Sequence, residues 1–377
     1  MGLLDAQGKE THATQILEMT EREQSFIFKQ INTRPVPSIL RGFSAPVKLT
    51  TDLSDDDLRL LQRCDTDGFN QWEAGQTIAL RTIARVMANS DADISQFIDD
   101  FGIILDQGLS QKTDKALLAR ALTLPAISVI AQSQNVIDPA AINHARTHIL
   151  KAVKQSHKDA LVRLYEANAK TGEFSITPEA MGRRALQNTV LELLTVSNGT
   201  GCAARAKAHY DNANNMTDRV AALACLSDST QAAREEVFTD FYHRFKAYQL
   251  VIDKWFQLQA IANRTEIFND FAKLRQHAEF NIKNPNRVRS LYSAFAINNP
   301  VKFHDPSGQG YVVLRDAIIE LNAFNPQIAS RLVTPFREWK RYTPALQAQM
   351  KDALQVVIET PKLSNDVFEV VSKSLKS

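Results

Sequence analysis

Near residue 50 the sequence changes from short apolar–polar stretches to a helical periodicity that continues, almost without interruption, to its last residues. Few chains of 377 residues keep one period for so long, and it restricts the bulk of the fold to packed helices. Ser54-Asp55-Asp56-Asp57 precedes Leu58 and Leu61, a capping arrangement in which hydroxyl and carboxylate satisfy orphan backbone amides. Ile94, Phe97, Ile98, Phe101 and Leu105 form one apolar stripe. Asp138-Pro139, Thr177-Pro178 and Asn325-Pro326 each set a capping side chain before a proline at the first helical position. Ser364 opens a last helix carrying Val367, Val370, Val371 and Leu375. The pattern predicts roughly a dozen to sixteen helices, many of ordinary length. No sequence unit repeats at a fixed period, so no named repeat class is supported. Antiparallel helix pairs with short connections still stack into a superhelical, α-solenoid-like array, and the predicted fold class is mainly α.

Residues 1–50 read differently. Gln15–Met19, Ser25–Gln30, Pro35–Leu40 and Ala45–Leu49 have strand character, with Thr20-Glu21-Arg22-Glu23 as a polar break. Three or four strands fill about half of a sandwich of roughly seven. The expectation is an incomplete β-sandwich over 1–50, truncated at its start, followed by a helical superhelix over 51–377. An uncovered sheet edge argues for a missing partner.

The balance of 44 basic and 42 acidic residues gives no electrostatic case for nucleic acid or an anionic membrane. No apolar run approaches the roughly 20 residues that cross a bilayer. Met1 to Glu10 lacks the pattern of a secretory signal. Cys64, Cys202 and Cys225 stand at unrelated spacings, which fits core packing in a reduced, cytoplasmic protein.

Several short motifs imitate chemistry without supplying it. His144 and His148 share a helix face, but a zinc protease needs a glutamate after the first histidine and Ala145 stands there. Gly199-Thr200-Gly201-Cys202-Ala203-Ala204 resembles a dinucleotide-binding turn, yet Leu186, Val190, Leu193 and Leu194 before it have helical spacing. Asp65-Thr66-Asp67-Gly68 suggests a calcium loop whose end positions, Arg63 and Ala74, are not ligands. Phe238, Phe241, Tyr242, Phe245, Tyr248, Trp255 and Phe256 read as core.

One constellation points toward a ligand. Gln327 and Arg331 sit one turn apart, off the apolar stripe Ile328–Leu332–Phe336–Trp339 and near a helix start. Arg287 and Arg289 follow Asn284-Pro285 at another. Such donors can hold a peptide or its carboxylate, and ordinary surface arginines have the same spacing.

Longer strings carry a resemblance. Val36-Pro37-Ser38-Ile39-Leu40-Arg41-Gly42-Phe43-Ser44-Ala45-Pro46-Val47-Lys48-Leu49 resembles the junction between the small β domain and the helical domain of bacterial aminopeptidase N. Asn214-Asn215-Met216-Thr217-Asp218, Asp253-Lys254-Trp255-Phe256-Gln257-Leu258-Gln259-Ala260 and Asn284-Pro285-Asn286-Arg287-Val288-Arg289-Ser290-Leu291 are similar to later segments, in order. So are Phe303-His304, Gly308-Gln309-Gly310-Tyr311 and Asn325-Pro326-Gln327-Ile328-Ala329-Ser330-Arg331. The resemblance implies a zinc metallopeptidase of four domains, with zinc held by HExxH plus a downstream glutamate and the free amine bound by GxMEN. Neither motif occurs here, which implies a non-catalytic portion, inactive alone, without a metal or catalytic residue of its own. It further implies that the helical part caps the active-site cavity, that Gln327 lies near the pocket for the first side chain, and that Arg289 and Arg331 face the peptide. The implied partners are a separate catalytic part and a peptide substrate. A free-standing helical scaffold that binds peptides or proteins is the alternative.

Overall fold

A computed structural model of the chain describes residues 1–110, 113–169 and 172–376. Three short strands open it: β1 (Gly2–Leu4), β2 (Glu10–His12) and β3 (Val36–Ser38). They form an antiparallel sheet in the order β2-β1-β3, with Gly2 opposite Ser38 and Leu3 opposite His12. Only the third expected strand segment contains one of them. Gln15–Met19, Ser25–Gln30 and Ala45–Leu49 are not strands, and Ile16 and Ile27 are each 86% exposed. An apolar segment becomes a strand by pairing, and these have no strand beside them among the described residues.

The junction string is explained by Arg41. Its side chain is buried and donates to the Glu10 carboxylate, to Asp65 Oδ1 at 2.7 Å, to Ser38 Oγ at 2.7 Å and to Thr14 Oγ1 at 2.9 Å. A Cβ on Gly2 would fall 2.3 Å from that guanidinium, so the strand can approach only as glycine. Gly42, at φ 63°, turns its amide to Asp67 Oδ2 at 2.9 Å. Asp65 and Asp67 are thus committed to an ion pair and a helix cap.

Nineteen α-helices follow among the described residues, more than the pattern predicted, because elements as short as four residues carry no readable period. They are α1 (Asp55–Cys64), α2 (Gly68–Ala88), α3 (Ser95–Gln107), α4 (Lys115–Ala121), α5 (Ile127–Gln132), α6 (Pro139–Ala167) and α7 (Pro178–Thr195). Then come α8 (Thr200–Asn212), α9 (Met216–Ser227), α10 (Ala232–Phe245), α11 (Gln249–Ala260), α12 (Ile267–Gln276) and α13 (Pro285–Val288). A π turn (Arg289–Ser293) joins α13 to α14 (Ala294–Asn298), followed by α15 (Pro300–Phe303), α16 (Gln309–Asn322), α17 (Pro326–Leu332), α18 (Pro344–Ile358) and α19 (Asn365–Lys376). The caps read from sequence are present: Ser54 and Asp57 make a reciprocal box, and Asn325 accepts from the Ile328 amide at 3.2 Å.

Two compact units divide the chain: 1–126 with 145–193, and 127–144 with 194–377. In the first, Phe97, Ile98, Phe101 and Leu105 bury the expected stripe, and Asp100 beneath them pairs with Arg59 at 2.9 Å and with Arg63. In the second, successive helices from α8 to α12 and from α16 to α19 pack on near neighbours in sequence. Phe238, Phe241 and Phe256 are core, whereas Tyr248 is 62% exposed. His304 lies under Tyr342 at 4.3 Å, its Nδ1 2.7 Å from the Tyr311 hydroxyl, and burial pushes its imidazole down to about 3. A Cβ on Gly310 would meet the Phe303 carbonyl oxygen at 2.3 Å. The Phe303-His304 and Gly310-Tyr311 strings therefore specify packing.

Candidate functional site

Position along a helix decides what an arginine can do, and the α13 segment shows it within three residues. Asn284 caps α13, accepting from the Asn286 and Arg287 amides at 3.0 and 3.4 Å. Residues two apart point to nearly opposite sides of a helix. Arg287 is accordingly 1% exposed, its Nη1 paired with Asp253 Oδ1 at 2.9 Å, its Nη2 donating to Gln249 Oε1 at 2.7 Å, and its guanidinium 4.8 Å from the centre of the Phe256 ring. It clamps α13 to α11. Arg289 is exposed, its Nη1 donating to Asn286 Oδ1 at 2.9 Å, so the guanidinium keeps most of its donors free for a ligand.

Arg289 borders a cleft of about 470 Å³ between α11 and the continuous run from α13 through the π turn to α14. Lys254, with Nζ 3.3 Å from Gln257 Oε1, adds a second cation. Leu250 and Ile297, 74% and 58% exposed, give the cleft an apolar lip. Cations beside exposed aliphatic side chains suit an extended segment that carries both a carboxylate or carbonyl and an apolar side chain. Lys254 was missed in the sequence; its only signal was its place on the exposed side of an otherwise buried aromatic helix.

Gln327 and Arg331 are both exposed on one side of α17, while Ile328, Ala329 and Leu332 bury the other. Neither side chain makes a hydrogen bond or ion pair among the described residues. They do not line the cleft that Arg289 borders. His144 and His148 are exposed around the buried Ala145, and the stripe Ile142–Ile149–Val153 is fully buried. Among the described residues no group of three or more His, Cys, Asp or Glu is placed to hold a metal ion. Gly199 caps α8 directly after α7, a helix–helix turn. Among the described residues no helix is long and apolar enough to cross a membrane.

Comparison with known proteins gives this geometry a setting. Residues 55–376 match the family described as "Domain of unknown function (DUF3458_C) ARM repeats", and residues 1–52 match "Domain of unknown function (DUF3458) Ig-like fold". The aminopeptidase N of Caulobacter vibrioides is 38% identical over 377 residues, all of this chain and 43% of that protein. The aminopeptidase N of Escherichia coli is 34% identical over 365 residues, 96% of this chain and 42% of that protein. The crystal structure of Legionella pneumophila aminopeptidase A in complex with aspartic acid superposes with a TM-score of 0.88 at 28% identity, over 100% of this chain and 45% of that one. The chain thus spans less than half the length of the relatives it matches. It belongs to the family described as "Domain of unknown function (DUF3458_C) ARM repeats" and is homologous to the C-terminal part of aminopeptidase N.

Proposed function

We propose that this chain forms the substrate-access wall of an aminopeptidase, with Arg289, Gln327 and Arg331 as contacts for a peptide and the chemistry supplied by a separate catalytic part. The observation that carries the reading is similarity to aminopeptidase N along the whole chain, joined to an Arg289 guanidinium left free at an apolar-lipped cleft. Zinc, in this reading, is held by residues of the catalytic part, and the enzyme works in the cytoplasm. Ile16, Met19, Ile27 and Val47 of residues 1–50 are exposed apolar side chains that a separate catalytic part would cover in this reading.

The test is to purify the chain, mix it with the HExxH-bearing part of the enzyme, and follow alanyl-amide hydrolysis. The chain alone is expected to show no turnover, and the mixture to show it, with Arg289→Ala, Gln327→Ala or Arg331→Ala raising KM about tenfold. Turnover by the pure chain, or no association of the parts, overturns the proposal. A free-standing peptide-binding scaffold is the second reading, favoured by one fact: the Arg289 cleft takes every lining residue from the helices. Peptide binding by the chain that is unaffected by the catalytic part selects it.

A further inference from the structure

A second cleft, sharing no lining residue with the first, opens among α10, α11 and α12 and encloses about 420 Å³. Its base contains Arg234, only 2% exposed. The Arg234 Nε donates to the Ser227 carbonyl at 3.0 Å and Nη1 pairs with Glu235, while Nη2 is buried with no hydrogen-bond partner. A buried charged donor left unpaired is costly, and one acceptor atom removes that cost. Burial first, and the charge of Arg264 next, push the Arg234 guanidinium down, so an anion here relieves both effects. Arg287 also has a nitrogen, Nε, without a hydrogen-bond partner, but it lines neither of these two clefts.

Arg264 stands beside Arg234, its Nε 3.0 Å from Asp270 Oδ2 and its Nη1 on the Ser229 carbonyl. Above them three rings form a wall: Trp255 lies 5.4 Å from Tyr242 and 5.1 Å from His277, and Tyr242 lies 5.0 Å from His277. Glu235 and Glu266 are exposed at the same cleft. Guanidinium at the base selects an anion; carboxylates at the rim repel a dianion and attract an ammonium; the rings accept a flat or bulky apolar group. These demands meet in one class of small molecule. We infer that this cleft binds a free α-amino acid with an aromatic or large aliphatic side chain, its carboxylate on Arg234 Nη2 and its ammonium toward Glu235 and Glu266. The site is independent of the Arg289 cleft and of the peptide-contact reading.

The experiment is calorimetric titration of the intact chain with L-phenylalanine, L-phenylalaninamide and inorganic phosphate, with the Trp255 indole NH signal followed by NMR. L-Phenylalanine is expected to bind saturably with Kd near about 1 mM and to shift that signal. The amide, which lacks the carboxylate, is expected to bind at least tenfold more weakly, and phosphate not to compete. Arg234→Gln should abolish binding; because that variant removes a buried side chain, the amide comparison on the unaltered chain stands as the independent test. No saturable binding, equal binding of the amide, or phosphate competing at equal concentration overturns the inference.

Discussion

The two clefts share α11 and use arginine in opposite ways. At the first, the dry arginine, Arg287, stands behind the wall with Asp253 and Gln249 on it, and the wet one, Arg289, is left for a ligand. At the second, the dry arginine is itself part of the lining, and one of its nitrogens has no partner. Both arginines keep a buried nitrogen without a hydrogen-bond partner, and of the two only Arg234 lines one of these clefts, where a ligand could supply the partner.

Breaking the clamp should have the largest effect on that contrast. Arg287→Ala leaves the partly buried Asp253 without its ion-pair partner and removes the bridge between α13 and α11, and should cost about 3 kcal/mol of stability, read by urea denaturation. A loss below about 1 kcal/mol would show that the clamp is dispensable. A pH series gives a smaller, one-sided effect. Burial holds the His277 imidazole below its ordinary 6.5, so the unfolded chain takes up the proton first. Its contribution to stability is complete above about pH 6.5 and is lost as pH falls through the range below. His277→Gln should flatten the thermal midpoint between pH 6.5 and pH 5 relative to the unaltered chain, and identical slopes would refute this. Smallest of all, Arg289→Ala should change stability by no more than about 0.5 kcal/mol, because the side chain is exposed and its one hydrogen bond, to Asn286, is exposed too. A loss as large as that of Arg287→Ala would erase the distinction between the two residues.

What was legible in the sequence follows from how local each cause is. Ser54, Asn284 and Asn325 announced their helices because a cap is settled within three or four residues. The aromatic run of α10 and α11 announced a core through its period. Strands failed the same treatment, since β1 lies beside β3 only after the chain has travelled from Leu4 to Val36, and Gly2–Leu4 shows no alternation of its own. The repeat class failed too: ARM repeats share a shape, and apolar residues can exchange freely within it without leaving a period in the letters. At the sites, spacing after Asn284-Pro285 named Arg287 and Arg289 together and could not tell the buried one from the exposed one. Arg234 could not be named, because nothing beside it in sequence distinguishes an unpaired guanidinium from a paired one.

The π turn after α13 has a consequence for how the first cleft tolerates change. The residues that α13, the turn and α14 give to its wall run from Asn286 to Asn298. At about 100° per residue, an unbroken α-helix would leave those two asparagines roughly 120° apart around the axis. A π turn absorbs about one extra residue, which brings them back to within roughly 20°. The wall is straight because of a count and not because of any side chain in it. Straightening the turn into α-helix at unchanged length would preserve every chemical group nearby and still rotate Ile297 and Asn298 out of line with Asn286.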